Sequence, residues 1–181
     1  MTIKGMILSR KLRLALLLMF LVCTVGCDQT SKHIARKRLR QVDTVTLPGG
    51  WVEFRLAQNP GSFLSFGALL PASVRVAAFT WGVGAGLAVL LVYLTRRARV
   101  EPVRFIGLSL IIAGSTSNLL DRILRHGLVT DFVTIRIGPL HTGVFNAAGV
   151  LIMLGLSSLI WRLRGGNSLH GRANQVQETA R

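Results

Sequence analysis

Residues 103–122, VRFIGLSLIIAGSTSNLLDR, decide the fold. The run up to Leu120 is apolar and approaches the roughly 20 residues that a helix needs to cross a bilayer. Gly107, Ser109, Gly114, Ser115, Thr116 and Ser117 recur through it, small residues of the kind that let helices pack closely in lipid. It then closes on Asn118, Asp121 and Arg122. A carboxylate at that depth is expensive, so it marks a functional site by default.

Working outward, three more apolar runs approach spanning length, at about 14–29, 73–95 and 143–163, alongside 103–120. Basic residues flank them: Lys4, Arg10, Lys11 and Arg13 before the first, Arg96 and Arg97 after the second, Arg162 and Arg164 beside Trp161 at the end of the fourth. Half of the 181 residues are hydrophobic, and 22 Lys and Arg stand against 7 Asp and Glu, a net charge of +15. Because the basic residues cluster at the ends of apolar runs and form no continuous face, their counter-ions are anionic lipid headgroups, and nucleic acid is excluded as a partner. The chain is too short for a multidomain enzyme and reads as one membrane domain, 1–165, followed by a disordered cytoplasmic tail, 166–181.

Four spans place both termini on one side. The termini and the Arg96 to Arg104 loop hold twelve Lys and Arg, the other two loops ten. The short loop and tail weigh more than the long loop, which favours cytoplasmic termini. Thr44–Leu47, Gly49-Gly50 and Trp51–Leu56 then read as an outward-facing hairpin, and Val129–Ile137 as a further short strand. The expected fold class is an all-α membrane protein, four transmembrane helices with a small β-rich extracytoplasmic segment between helices 1 and 2. Cys23 and Cys27 share a helix face and are expected to bury as small hydrophobes. Thr24-Val25-Gly26-Cys27 imitates a lipoprotein signal cut before Cys27, but Thr24 stands where such signals usually carry Leu, and polar residues follow at once.

Three of the seven acids, Asp28, Asp121 and Asp131, lie in or against apolar sequence, whereas Asp43, Glu53, Glu101 and Glu178 lie where water can reach them. Lys32 is one helical turn from Asp28 and can neutralise it, which alone reads as a helix-end ion pair. Asn118 and Asp121 share a face at i and i+3 with Arg122 adjacent, a polar cluster by itself, and Asn59-Pro60-Gly61-Ser62 alone is an ordinary turn. Asp131 has no basic neighbour within four residues, and burial would raise its pKa. His33, His126, His141 and His170 are scattered, so no metal or other cofactor is expected.

Taken in order, Asp28-Gln29-Thr30-Ser31-Lys32, Asn59-Pro60-Gly61-Ser62-Phe63, residues 114–122, Val129-Thr130-Asp131-Phe132 and Phe145-Asn146-Ala147-Ala148 resemble signal peptidase II, the bacterial lipoprotein signal peptidase family, over residues 12–163. The resemblance implies a multi-pass aspartic endopeptidase of the bacterial inner (cytoplasmic) membrane. Its substrates would be diacylglyceryl-modified prolipoproteins, cut just before the modified cysteine. The family's catalytic pair maps onto Asp131 and onto position 149, where this chain has Gly149. The resemblance assigns support or substrate binding to Asp28, Lys32, Asn59, Gly61, Asn118, Asp121, Arg122 and Asn146, with Asn146 placed on the face of the fourth helix that carries Gly149. Pro60 and the Phe63-Leu64 pair differ from the smaller residues common in that loop. An aspartic pair works through two carboxyl groups sharing a proton. Gly149 supplies neither role, so the alternative is a non-catalytic paralogue that binds lipoprotein or lipid.

Overall fold

The computed structural model describes residues 9–61, 67, 69–97 and 99–179, from 165 onward as backbone alone. Lys4, Ser62, Phe63 and Leu64 lie outside the described residues, as do the side chains of His170 and Glu178. Four helices are long and apolar enough to cross a membrane: α1 (Arg10–Leu39), α2 (Ala72–Arg96), α3 (Pro102–Leu124) and α4, which begins at Ala147 and spans to Arg164. α3 is the central one, with 44% of its spanning window buried against 17, 6 and 11% in α1, α2 and α4. Leu18, Val22, Trp81, Val89 and Trp161 project outward, as the lipid-facing side of such a bundle requires.

The small residues of α3 work as their type suggests. A Cβ at Gly107 would fall 2.5 Å from Ser158 Oγ, and one at Gly114 2.6 Å from the Ala148 carbonyl oxygen. Glycine therefore lets α3 and α4 touch backbone to backbone. On the other side Leu17 of α1, Leu94 of α2, and Phe105 and Ile112 of α3 close an apolar core. Within α2, residues Ala77–Gly82 widen into a π-helical turn, and Phe79 in that turn lies under Arg122.

Several boundaries differ from expectation. α1 runs on to Leu39, because its polar residues from Asp28 to Lys32 are satisfied by neighbouring helices, and Ala35 and Leu39 pack on Phe132. Cys23 and Cys27 are exposed on the outer face of α1, not buried, since the face carrying Leu17, Asp28 and Lys32 is the one turned inward. α4 begins at Ala147, because Phe145 forms a β-bridge with Val133 and Asn146 caps the helix. Its backbone continues as helix to Thr179, past Gly165, where the sequence reads as the end of ordered chain. A helix already nucleated by a long span extends with little further penalty.

The β structure is also larger than a hairpin between helices 1 and 2. β1 (Val45–Thr46), β2 (Val52–Asn59), β3 (Val129–Ile137) and β4 (Leu140–His141) form one antiparallel sheet in the order β1-β2-β3-β4. An isolated hairpin is marginal in water. β2 gains its main partner from the loop between α3 and α4, so the fold is mostly helical with a four-stranded sheet built from both long loops.

Candidate functional site

The site is assembled where α1, α3, the sheet and the start of α4 meet. Its lower part is a buried charge network. Lys32, fully buried on α1, lies 2.7 Å from Asp28 Oδ2 and 3.1 Å from Asp121 Oδ2, and donates to Asn118 Oδ1 at 2.9 Å. Asp28 accepts as well from Ser117 Oγ at 2.7 Å and from the Ala148 N–H at 2.9 Å. It thus joins α1, α3 and the first turn of α4. Negative charge is favoured at a helix N-terminus, so the Ala148 contact adds to the ion pair.

Asp121 does similar work for the sheet. Its Oδ2 accepts from the Thr130 N–H at 3.0 Å, its Oδ1 from Gln29 Nε2 at 3.2 Å, and Arg125 pairs with Oδ1 at 3.4 Å. Arg122, adjacent in sequence, forms no salt bridge with Asp121. Neighbours in a helix point about 100° apart, whereas i and i+4 share a face. Arg122 turns instead to the Asn59–Gly61 loop, donating to the Gly61 carbonyl at 2.9 Å. Gly127, at φ +89°, ends α3 with its N–H on the Arg122 carbonyl and brings the chain straight back into β3.

Asp131 then enters from β3, opposite Ala57 of β2. Asn59, two residues on along β2, is its diagonal neighbour on the same face and donates from Nδ2 to Asp131 Oδ2 at 2.9 Å. Asn59 Oδ1 accepts the Gly61 N–H at 3.0 Å, which fixes the orientation of the amide. On the far side Phe145 pairs with Val133 and sets Asn146 beside Asp131, with Nδ2 2.6 Å from Oδ1. Asn146 is the N-cap of α4: its Oδ1 accepts the Gly149 N–H at 2.7 Å. The residue therefore precedes the helix and caps it, whereas the sequence places it on the helical face.

A chain of polar contacts thus runs from Lys32 through Asn118 to Asn146, whose Nδ2 is 3.1 Å from Asn118 Oδ1, and on to Asp131. Asp131 is 4% exposed and has only neutral donors on its oxygens. Burial pushes its carboxyl above the ordinary value. The Asn59 amide, the Lys32 charge, the Asn146 amide and the Arg122 charge oppose this and do not cancel it. Such a group holds a proton near neutrality more readily than a surface aspartate, as an acid catalyst must.

Asp131, Asn146, Asn59, Gly61, Asn118, Arg122 and Gly149 all line one cavity of about 770 Å³. Phe79, Val83, Val150, Ile152 and Met153 make much of its wall apolar. Among the described residues, Asp131 is the one carboxylate in the lining. Asp28, Lys32 and Asp121 lie outside this lining, in the charge network next to it. Among the described residues no three His, Cys, Asp or Glu side chains gather as metal ligands. The sequence motifs give Ser117, Gln29 and Thr130 no role of their own. The signal available for Ser117 was its position four residues before Asp121, on the same face of a span.

Residues 20–164 match the family model of signal peptidase (SPase) II. A lipoprotein signal peptidase of Moorella thermoacetica is 32% identical over 151 residues, covering 82% of this chain and 91% of that protein. Another, from Coxiella burnetii strain RSA 493, is 35% identical over 146 residues, covering 79% and 86%. A bacterial membrane enzyme structure solved by the in meso method at 2.3 Å resolution superposes with a TM-score of 0.73 at 22% identity, over 85% of this chain and 90% of that one. The last likeness is one of fold.

Proposed function

This chain belongs to the signal peptidase II family, and from that membership and the cavity around Asp131 we propose that it receives the signal segment of a diacylglyceryl-modified prolipoprotein, with Asp131 facing the bond before the modified cysteine. The observation that carries this is the pairing of one buried, amide-held carboxyl with a largely apolar cavity of about 770 Å³. The apolar wall suits a signal segment. Asn118, Asn59 and Arg122 offer polar groups for its backbone.

In this reading the protein sits in the bacterial cytoplasmic membrane with both termini in the cytoplasm and the sheet on the outer side. The prolipoprotein approaches along the bilayer, and the Asn59–Gly61 loop, held by Arg122 at its carbonyl, borders the lipid-modified end. Asp131 donates its proton to the scissile carbonyl. A second carboxylate is needed to take a proton from water, and position 149, next along the cavity past Asn146, is where the family resemblance places it.

Gly149 favours a second reading, in which the unaltered chain binds the signal segment with little or no turnover. General acid–base catalysis contributes about 10²–10⁴-fold, and members of such a pair act as a unit. Cleavage of a diacylglyceryl-modified prolipoprotein by the purified chain, beside its Asp131→Asn and Gly149→Asp variants, separates the two. Cleavage that Asp131→Asn abolishes supports a peptidase. Binding without cleavage, restored to cleavage by Gly149→Asp, supports the second reading. Absence of both binding and cleavage in every folded variant contradicts the function.

A further inference from the structure

Resting on the cavity assigned above, we propose that the space beside Gly149 is a binding site for a small monocarboxylic acid, of formate or acetate size, whose carboxyl group takes the place of a side chain at 149 next to Asp131. Gly149 is unlike the packing glycines of this fold. Cβ atoms at Gly107, Gly114 and Gly155 would meet a neighbouring helix at 2.5 to 2.6 Å, whereas one at Gly149 would meet only Asn146 Oδ1, at 3.4 Å. No positive φ requires glycine there either. Packing and backbone both permit a side chain, and the volume it would fill is part of the cavity.

The lining suits a carboxylate. Arg122 is 8% exposed, and its Nη2 is engaged by the Gly61 carbonyl while Nε is buried without a hydrogen-bond partner. It brings positive charge to a cavity in which Asp131 is the only carboxyl group among the described lining residues. That carboxyl is raised by burial, so it can be the protonated member of a mixed acid–carboxylate pair. Asn146 Nδ2 and Asn59 Nδ2 each donate to one oxygen of Asp131 and line the cavity beside it.

With the pair completed, the hydrolysis balances. The bound carboxylate takes a proton from water as the water oxygen bonds to the scissile carbonyl carbon, and Asp131 gives its proton to the carbonyl oxygen. The bound acid then protonates the amide nitrogen, the carbon–nitrogen bond breaks, and one hydroxyl of the intermediate returns a proton to Asp131. One peptide and one water become a carboxylic acid and an amine, and both carboxyl groups regain their starting states.

The test is cleavage of a diacylglyceryl-modified prolipoprotein by the purified full chain, titrated with formate, acetate, propionate or trimethylacetate at fixed pH against matched chloride. The expected result is a saturable rise of roughly 10²-fold with formate and acetate, fading for the bulkier acids and lost in Asp131→Asn. Gly149→Ala, whose methyl group meets only Asn146, shifts the preference toward formate. Gly149→Asp cleaves without added acid and does not respond to it. Cleavage by Gly149→Asp with no response of the unaltered chain overturns this inference and leaves the proposed function standing. A response equal to that in chloride, or full cleavage without any acid, overturns it likewise. Absence of both substrate binding and cleavage in the folded Gly149→Asp protein and in the unaltered chain, with or without added acid, overturns both.

Discussion

The two polar regions of this molecule are built to different degrees of completion. Behind the cavity, every charge of the Asp28, Lys32 and Asp121 network meets an opposite charge or a directed hydrogen-bond partner. At the cavity wall, Asp131 is braced by two amides and shares the lining with Gly149, the position to which our proposal gives the second carboxyl group of an aspartic pair. A buried charge network tolerates no missing member, since removing one partner leaves another charge unpaired in a medium that cannot solvate it. A catalytic acid is different. Its loss costs turnover, not folding, so the scaffold of a peptidase can persist intact around an incomplete reaction centre.

Breaking the complete region has the largest expected effect on stability. Lys32→Met strands Asp28 and Asp121 together, and we expect a loss of about 3–5 kcal/mol, read as a fall in Tm in detergent. Asn146→Ala tests the seam between the regions. It removes the α4 cap, worth about 0.5–2 kcal/mol, and frees one oxygen of Asp131, so Tm falls less than in Lys32→Met while ligand binding in the cavity weakens. At the other extreme, the Glu101–Arg162 pair is 41% and 35% exposed, and Glu101→Gln should change stability by about 1 kcal/mol or less.

The pH dependence of Tm sharpens the same contrast. The folded-state pKa of Asp131 is raised, so between the ordinary carboxylate value and the raised value the folded chain binds more protons than the unfolded chain. Stability from this group is present below that window and is lost as pH rises through it. Comparing Asp131→Asn with the unaltered chain in detergent should show a decline across the window that only the unaltered chain has. Parallel profiles would contradict the raised state of Asp131.

Much of this was legible in the chain because membrane spans announce themselves by length and hydropathy. The α3 sequence also announced its close packing through Gly107 and Gly114, and the order of polar motifs gave the family. Contacts across sequence distance were not legible. Nothing local says that one lysine serves both Asp28 and Asp121, or that β2 pairs with β3 to set Asn59 diagonal to Asp131. Asn146 was misplaced by simple physics: an Asn before a helix is as good a cap as a face residue, and only the Phe145–Val133 bridge decides between them. Adjacency of Arg122 to Asp121 does not say which cation pairs with it; helical spacing favours Arg125.

The most direct test of an intact scaffold around a single acid is the cleavage rate of a diacylglyceryl-modified prolipoprotein by Gly149→Asp relative to the unaltered chain, both in detergent without added carboxylic acid. The account predicts a gain of about 10²–10⁴-fold, with Tm and substrate binding little changed. Equal rates in the two proteins, or a folded Gly149→Asp that binds substrate and leaves it uncut, would contradict it.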